Sequence, residues 1–268
     1  MQMKTIHKTL STVALGAALT FGASFSASAL PQFQVNPGAI GSAQGIFTAD
    51  HIVGNSSTLV TYNPGTDSIS GQGWLQFSAF TLNGTAVNSN VGSYNLYALF
   101  TYSAPRDAGS AAYGVPGSTY TLNGLHFDLY ANPANNTTFV EANANTSTAA
   151  TAAGGAPVTI GSGDLIVGTA GLNALGGSFL NATNSYANTS PLGDAYFFDP
   201  SPFYTIAFNS IINNTSGIVR NGNLTSVNAT STSTDFMVGG NNVPEPGSLA
   251  LFGAALVGLF VSRRRKSA

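Results

Sequence analysis

The segment Gly73–Gly84, GWLQFSAFTLNG, reads as a β-strand running into a tight hairpin turn. Aromatic residues suit the pleated, half-buried surface of a strand, and Asn83-Gly84 supplies the positive φ that a two-residue hairpin turn requires. Working outward, Tyr94–Tyr102 places Tyr94, Leu96, Ala98, Phe100 and Tyr102 on one face by alternation. Thr119–Leu122 leads into a second Asn-Gly at 123–124, and Leu125–Tyr130 follows. Val35–Phe47 and Ile52–Tyr62 supply early strands. Later ones are Phe139–Ala142, Val158–Ile160, Asp164–Gly168, Tyr196–Phe198, Tyr204–Phe208, Ile218–Val219 and Leu224–Val227. Short strands with Gly and Asn punctuation predict an all-β protein, an antiparallel β-sandwich or jelly roll forming a single domain over residues 30–238. The echo of FTLNG (80–84) in YTLNG (120–124) stops at the turn, so it reads as hairpin chemistry used twice. Ala142–Ala156, ANANTSTAATAAGGA, reads as a mobile surface loop, and Asn228–Thr234, NATSTST, as the start of a spacer.

Charged residues make up 7% of the chain, far below the usual ~25%. Aromatics at 10% argue against disorder, whose segments are poor in them. The absence of cysteine excludes disulfides, thiol catalysis and cysteine-held metal.

The two ends have a different composition. Lys4 and Lys8, the apolar run Leu10–Phe25 and the small-residue site Ala27-Ser28-Ala29 form a secretory signal over residues 1–29, a helix removed after Ala29. At the other end, residues 239–268 carry a linker and three consecutive parts. Val243-Pro244-Glu245-Pro246-Gly247 comes first, then an uncharged run at 248–261, then a basic segment at 262–268 holding Arg263, Arg264, Arg265 and Lys266. As a short helix at ~1.5 Å per residue, the uncharged run reaches about 21 Å, against a hydrocarbon core about 30 Å thick. The basic cluster would stay cytoplasmic and stop transfer. Such a tail holds a protein transiently in the inner membrane and anchors it poorly. Two prolines keep the preceding segment extended, a form that a protease-like cleft can hold.

These three parts, in this order, resemble the PEP-CTERM sorting signal of exopolysaccharide-producing Gram-negative bacteria. The resemblance implies that an exosortase, a membrane-embedded cysteine transpeptidase, recognises the Pro-Glu-Pro segment and removes the tail. The body is also similar to the flocculation-associated PEP-CTERM proteins, in FQVNPGAIGS after the signal, in GWLQFSAFTLNG…YNLYALF, in length and in the tail. That second resemblance implies a role in holding cells within an exopolysaccharide gel.

Between Leu30 and Ser262 only Arg106 and Arg220 stand against ten acidic residues, a net charge of about −8. Charge therefore gives the body no means of binding nucleic acid or an anionic membrane. The sequence has no nucleophile elbow, zinc-protease helix, EF-hand loop or phosphate-binding loop. On a strand, His126, Asp128 and Tyr130 share the outer face while Leu125, Phe127 and Leu129 point inward. A metal or a sugar could bind there, although the wet side of a half-buried strand is the plainer reading. Adjacent Asp50 and His51 point to opposite faces. Glu141, Asp194 and Asp199 are the carboxylates that a glycosidase pair would draw on. Trp74 and Tyr102 are the rings that could stack on sugar, with the core as the plainer place for a lone Trp. The many Asn-x-Ser/Thr triplets, Asn228 among them, follow from composition.

The expected function is that of an exported, non-enzymatic surface or matrix protein with no cofactor and no metal. It would be processed by an exosortase and associated with exopolysaccharide at the cell surface, promoting flocculation or biofilm aggregation. The alternatives are a secreted polysaccharide hydrolase and a calcium-stabilised carbohydrate-binding module.

Overall fold

A computed structural model describes residues 30–88, 93–214 and 217–237. The described residues form seventeen strands. They are β1 (Phe33–Val35), β2 (Phe47–Ala49), β3 (His51–Asn63), β4 (Ser68–Leu82), β5 (Thr85–Asn88), β6 (Asn95–Pro105), β7 (Thr119–Thr121), β8 (Gly124–Asn132) and β9 (Thr138–Val140). There follow β10 (Thr151–Ala153), β11 (Val158–Leu172), β12 (Ser178–Ser185), β13 (Ala187–Asn188), β14 (Phe197–Asp199), β15 (Ile206–Asn214), β16 (Ile218–Asn221) and β17 (Leu224–Met237). A short helix, α1 (Pro191–Tyr196), precedes β14. Ser190 caps it by accepting the Gly193 N–H, and Pro191 opens its first turn.

The hydrogen-bond ladder closes on itself. Around the ring run β3, β4, β6, β8, β11, β12, β15 and β17, and β17 returns to β3, every pair antiparallel. The long strands pair in sequence order, an up-and-down barrel. The predicted all-β class is observed, but the sandwich or jelly roll is corrected. A jelly roll needs Greek-key crossings, and here β11 closes the ring instead by serving two neighbours. Its first half pairs with β8 and its second half with β12. Gly161 and Gly163 lie in that first half, and a Cβ at Gly163 would stand 2.0 Å from the Ser185 carbonyl oxygen. Only glycine lets the backbones approach so closely.

The strand reading holds best where side chains are large. Tyr94, Leu96, Ala98, Phe100 and Tyr102 are all buried in the barrel, opposite Leu125, Phe127 and Leu129. Outward positions carry Gln72, Thr101, His126 and Asp128. Membrane-spanning barrels have the opposite arrangement, with an apolar outer band.

Asn83 and Gly84 take φ of 51° and 77° and make the predicted hairpin between β4 and β5. Asn123-Gly124 does not make one. β7 pairs with β11 rather than β8, and Asn123 is held by Ser103, whose hydroxyl donates to the Asn123 amide oxygen and whose carbonyl accepts its N–H. Two further corrections concern supposed loops. Asn228–Thr234 lies inside β17, paired with β3 and β15. The 142–156 stretch folds back on the outer wall, with β10 pairing β9 and Ala142, Ala144 and Ala150 buried.

Candidate functional site

The His126 cluster forms through strand register. Asp164 of β11 sits directly opposite His126 of β8. The His126 Nδ1 lies 2.8 Å from an Asp164 carboxylate oxygen, and its Nε2 lies 3.6 Å from Asp128. Hydrogen bonding to Asp164 raises the His126 pKa, partial burial opposes it, and the negative charge of Asp128 adds to the rise. Tyr130 shares the outer face as predicted and stacks on Tyr97 with ring centroids 5.5 Å apart. Asp164 was absent from the expected set, because it became a partner only when β8 and β11 paired. The His126 side chain is 51% exposed, so the arrangement is a surface ion pair in high dielectric. Among the described residues, no three His, Asp or Glu side chains are placed to hold a metal ion.

The other predicted carboxylates are dispersed. Asp50 is buried and accepts the Asn83 N–H, which ties it to the hairpin turn. His51 pairs with Asp235 of β17. Glu141 is exposed beside β9, Asp194 is on α1 and Asp199 ends β14, and among the described residues no hydrogen bond joins Glu141 to either.

Neither predicted sugar-facing ring is exposed. Trp74 points out of the barrel yet is only 4% exposed, because the β9–β10 segment covers it. Its indole N–H donates to the Val140 carbonyl at 2.9 Å, and its ring meets Phe139 edge-on. Ser57 and Asn228 fasten the same segment, the Ser57 hydroxyl accepting the Ala142 N–H and the Asn228 amide donating to the Ala142 carbonyl. The Asn228 side chain is thereby committed to the fold.

Tyr102 points inward, where one end of the barrel encloses a pocket of about 610 Å³, counting the part open to solvent. A Cβ on Gly71 would stand 2.3 Å from the Tyr102 ring, so the missing side chain makes room for the tyrosine. Val60, Ile69 and Leu180 supply apolar wall, and Ser178 and Tyr120, whose hydroxyls are buried, also line it. The loop 106–118 forms the rim. Arg106 holds this loop by donating to both Asp67 oxygens, at 2.8 and 3.0 Å, and to the Ser110 carbonyl. Tyr113 stacks flat on Tyr62, with centroids 4.3 Å apart, and its hydroxyl lies 2.7 Å from that of Thr225. Arg220 donates to the Gly114 carbonyl. Burial pushes the Tyr120 phenol up to about 12. No sequence motif marks this pocket, since its lining is drawn from β3, β4, β6, β7, β11, β12, β16 and β17 and from the rim loop.

The signal residues Ala27 and Ala29, the motif Val243-Pro244-Glu245-Pro246 and the basic cluster Arg263–Lys266 lie outside the described residues, as do the signal helix and the C-terminal apolar helix. The family model of the PEP-CTERM protein-sorting motif matches residues 242–266. The motif implies an exported protein that passes through the membrane and is processed by an exosortase. No curated protein and no solved structure matches the chain.

Proposed function

We propose that the protein is a non-enzymatic surface or matrix component. It is held briefly in the inner membrane by its tail, released by an exosortase, and retained with exopolysaccharide, where it promotes flocculation or biofilm aggregation. The sorting motif at 242–266 carries this reading. The barrel adds a compatible surface, because its outer wall is rich in Thr, Ser, Asn and Gln and poor in charge. Such a wall offers many weak hydrogen bonds to neutral sugars without strong ionic binding. The similarity of the body to flocculation-associated proteins points the same way.

Gene deletion tests the proposal, with rescue by the full chain or by a chain stopped after Gly240. Cell settling and the fractionation of the protein are scored together. The expected result is rescue by the full chain alone, with the truncated form free in the medium. Equal rescue by the truncated form, or unchanged settling after deletion, overturns the reading and favours a diffusible activity.

A further inference from the structure

We propose that the open end of the barrel is a binding site for a small amphiphilic carboxylate, whose apolar body lies among Val60, Ile69, Tyr102 and Leu180 and whose acid head meets Arg220. Three independent observations lead there. The lining is mostly apolar and aromatic, with a few convergent polar groups, which is the usual make-up of a small-molecule site. Two of those polar groups, the Tyr120 and Ser178 hydroxyls, are buried with no hydrogen-bond partner in the protein. Their residues are 2% and 8% exposed. A buried hydroxyl left unpaired is unfavourable by about 1–3 kcal/mol, so the lining holds hydrogen-bonding capacity that the chain leaves unused.

The third observation is the state of Arg220. Of the two arginines in the body, Arg106 is matched to the Asp67 carboxylate. Arg220 stands at the pocket rim and bonds a backbone carbonyl, with no carboxylate within ion-pair distance among the described residues. In a body with a large excess of acid, an arginine without an acidic partner at the mouth of an apolar pocket selects for an anion. A sugar fits this lining poorly, because its ring hydroxyls would be desolvated against aliphatic side chains. An organic cation would be repelled by the guanidinium. A molecule with an apolar body and one carboxylate satisfies both walls.

The inference is independent of the sorting motif. Decanoate is the probe, titrated by calorimetry at pH 8 into the full chain held in lipid nanodiscs, with empty discs as the blank. Expected is saturable one-to-one binding, with decanol at least about tenfold weaker. Arg220→Gln should weaken decanoate by at least about tenfold, the loss of one charge-assisted hydrogen bond, and leave decanol nearly unchanged. Ala170→Phe fills the pocket and should abolish binding of both probes. If that variant does not fold, Ser178→Leu replaces it. Heat indistinguishable from empty discs overturns the proposal. So does decanoate binding that Arg220→Gln leaves unchanged, or binding that survives in a folded, pocket-filled variant.

Discussion

The two ends of the barrel are built from the same strands and finish differently. At one end Phe33, Phe80, Phe197, Phe203, Phe236 and Tyr186 cluster, mostly edge to face with Phe197 and Phe203 stacked, at centroid separations from 4.8 to 6.3 Å. Most of these rings come from outside the ring of strands. β1 brings Phe33, β14 brings Phe197 and the following loop brings Phe203, so the segments flanking the barrel form its plug. Tyr94 and Tyr196 are fully buried there and share a 2.7 Å hydrogen bond. Burial pushes the Tyr94 phenol up to about 12. At the other end, the inward positions of β12 and β17 carry Ser178, Leu180, Thr225 and Val227, and the rim loop covers without filling. An eight-stranded barrel is just wide enough for side chains to fill or for one small ligand to occupy. Here one molecule takes both options, one at each end.

The largest expected effect separates the ends by packing. Phe236→Ala removes a ring that touches four others in the plug, and about 3–5 kcal/mol of stability should be lost. Leu180→Ala enlarges a space that already exists, so its loss should fall near the lower bound of about 2 kcal/mol for such truncations. Urea unfolding of the two variants makes the comparison, and equal losses would show that the open end is packed as tightly as the plug.

A smaller effect separates them by hydrogen bonding. Tyr94→Phe strands the Tyr196 hydroxyl in the plug, which should lose about 1–3 kcal/mol. Tyr120→Phe removes a hydroxyl that has no protein partner, so stability should change by less than about 0.5 kcal/mol or rise slightly. A Tyr120→Phe loss matching that of Tyr94→Phe would mean that the unliganded pocket already holds a tightly bound water, and would sharpen the contrast into a wet end and a dry end.

How much of this was legible in the sequence follows the size of the inward side chains. β4, β6 and β8 were readable because their buried residues are large: Phe77, Leu96, Phe100, Phe127 and Leu129. β12 was missed entirely, and β17 was split between a strand and a spacer. Small and polar residues, Ser178, Ala182 and Asn184 on β12 and Thr225, Ala229, Thr232 and Thr234 on β17, stand inward between Leu180, Val227 and Phe236, which hides the alternation in polarity while keeping it in burial. The hairpin at Asn83-Gly84 and the false one at Asn123-Gly124 show a second limit. The dipeptide permits a tight turn, and the pairing partner decides whether one forms. Barrel closure was beyond any local reading, because it depends on β11 choosing a different neighbour for each half. The pocket was hidden for the same reason, and so was the pairing of His126 with Asp164.

The outer wall gives the comparison its smallest and cleanest control. His126 has its pKa raised in the folded protein, first by Asp164 and then by Asp128, above the ordinary value of 6.5. Its contribution to stability is therefore fully present below about pH 6.5 and is lost as pH rises through the folded value. With half of the side chain in water, solvent screening limits this contribution to well under 1 kcal/mol. His126→Gln should flatten the fall in stability between pH 6 and pH 8 while leaving decanoate binding at the open end unchanged, since the two sites lie on opposite faces of the wall. An unaltered slope would remove the ion pair from the account of stability. A slope of the opposite sign would mean that His126 is stabilised as the neutral ring, so that burial outweighs both carboxylates and the outer wall is drier there than its exposure implies.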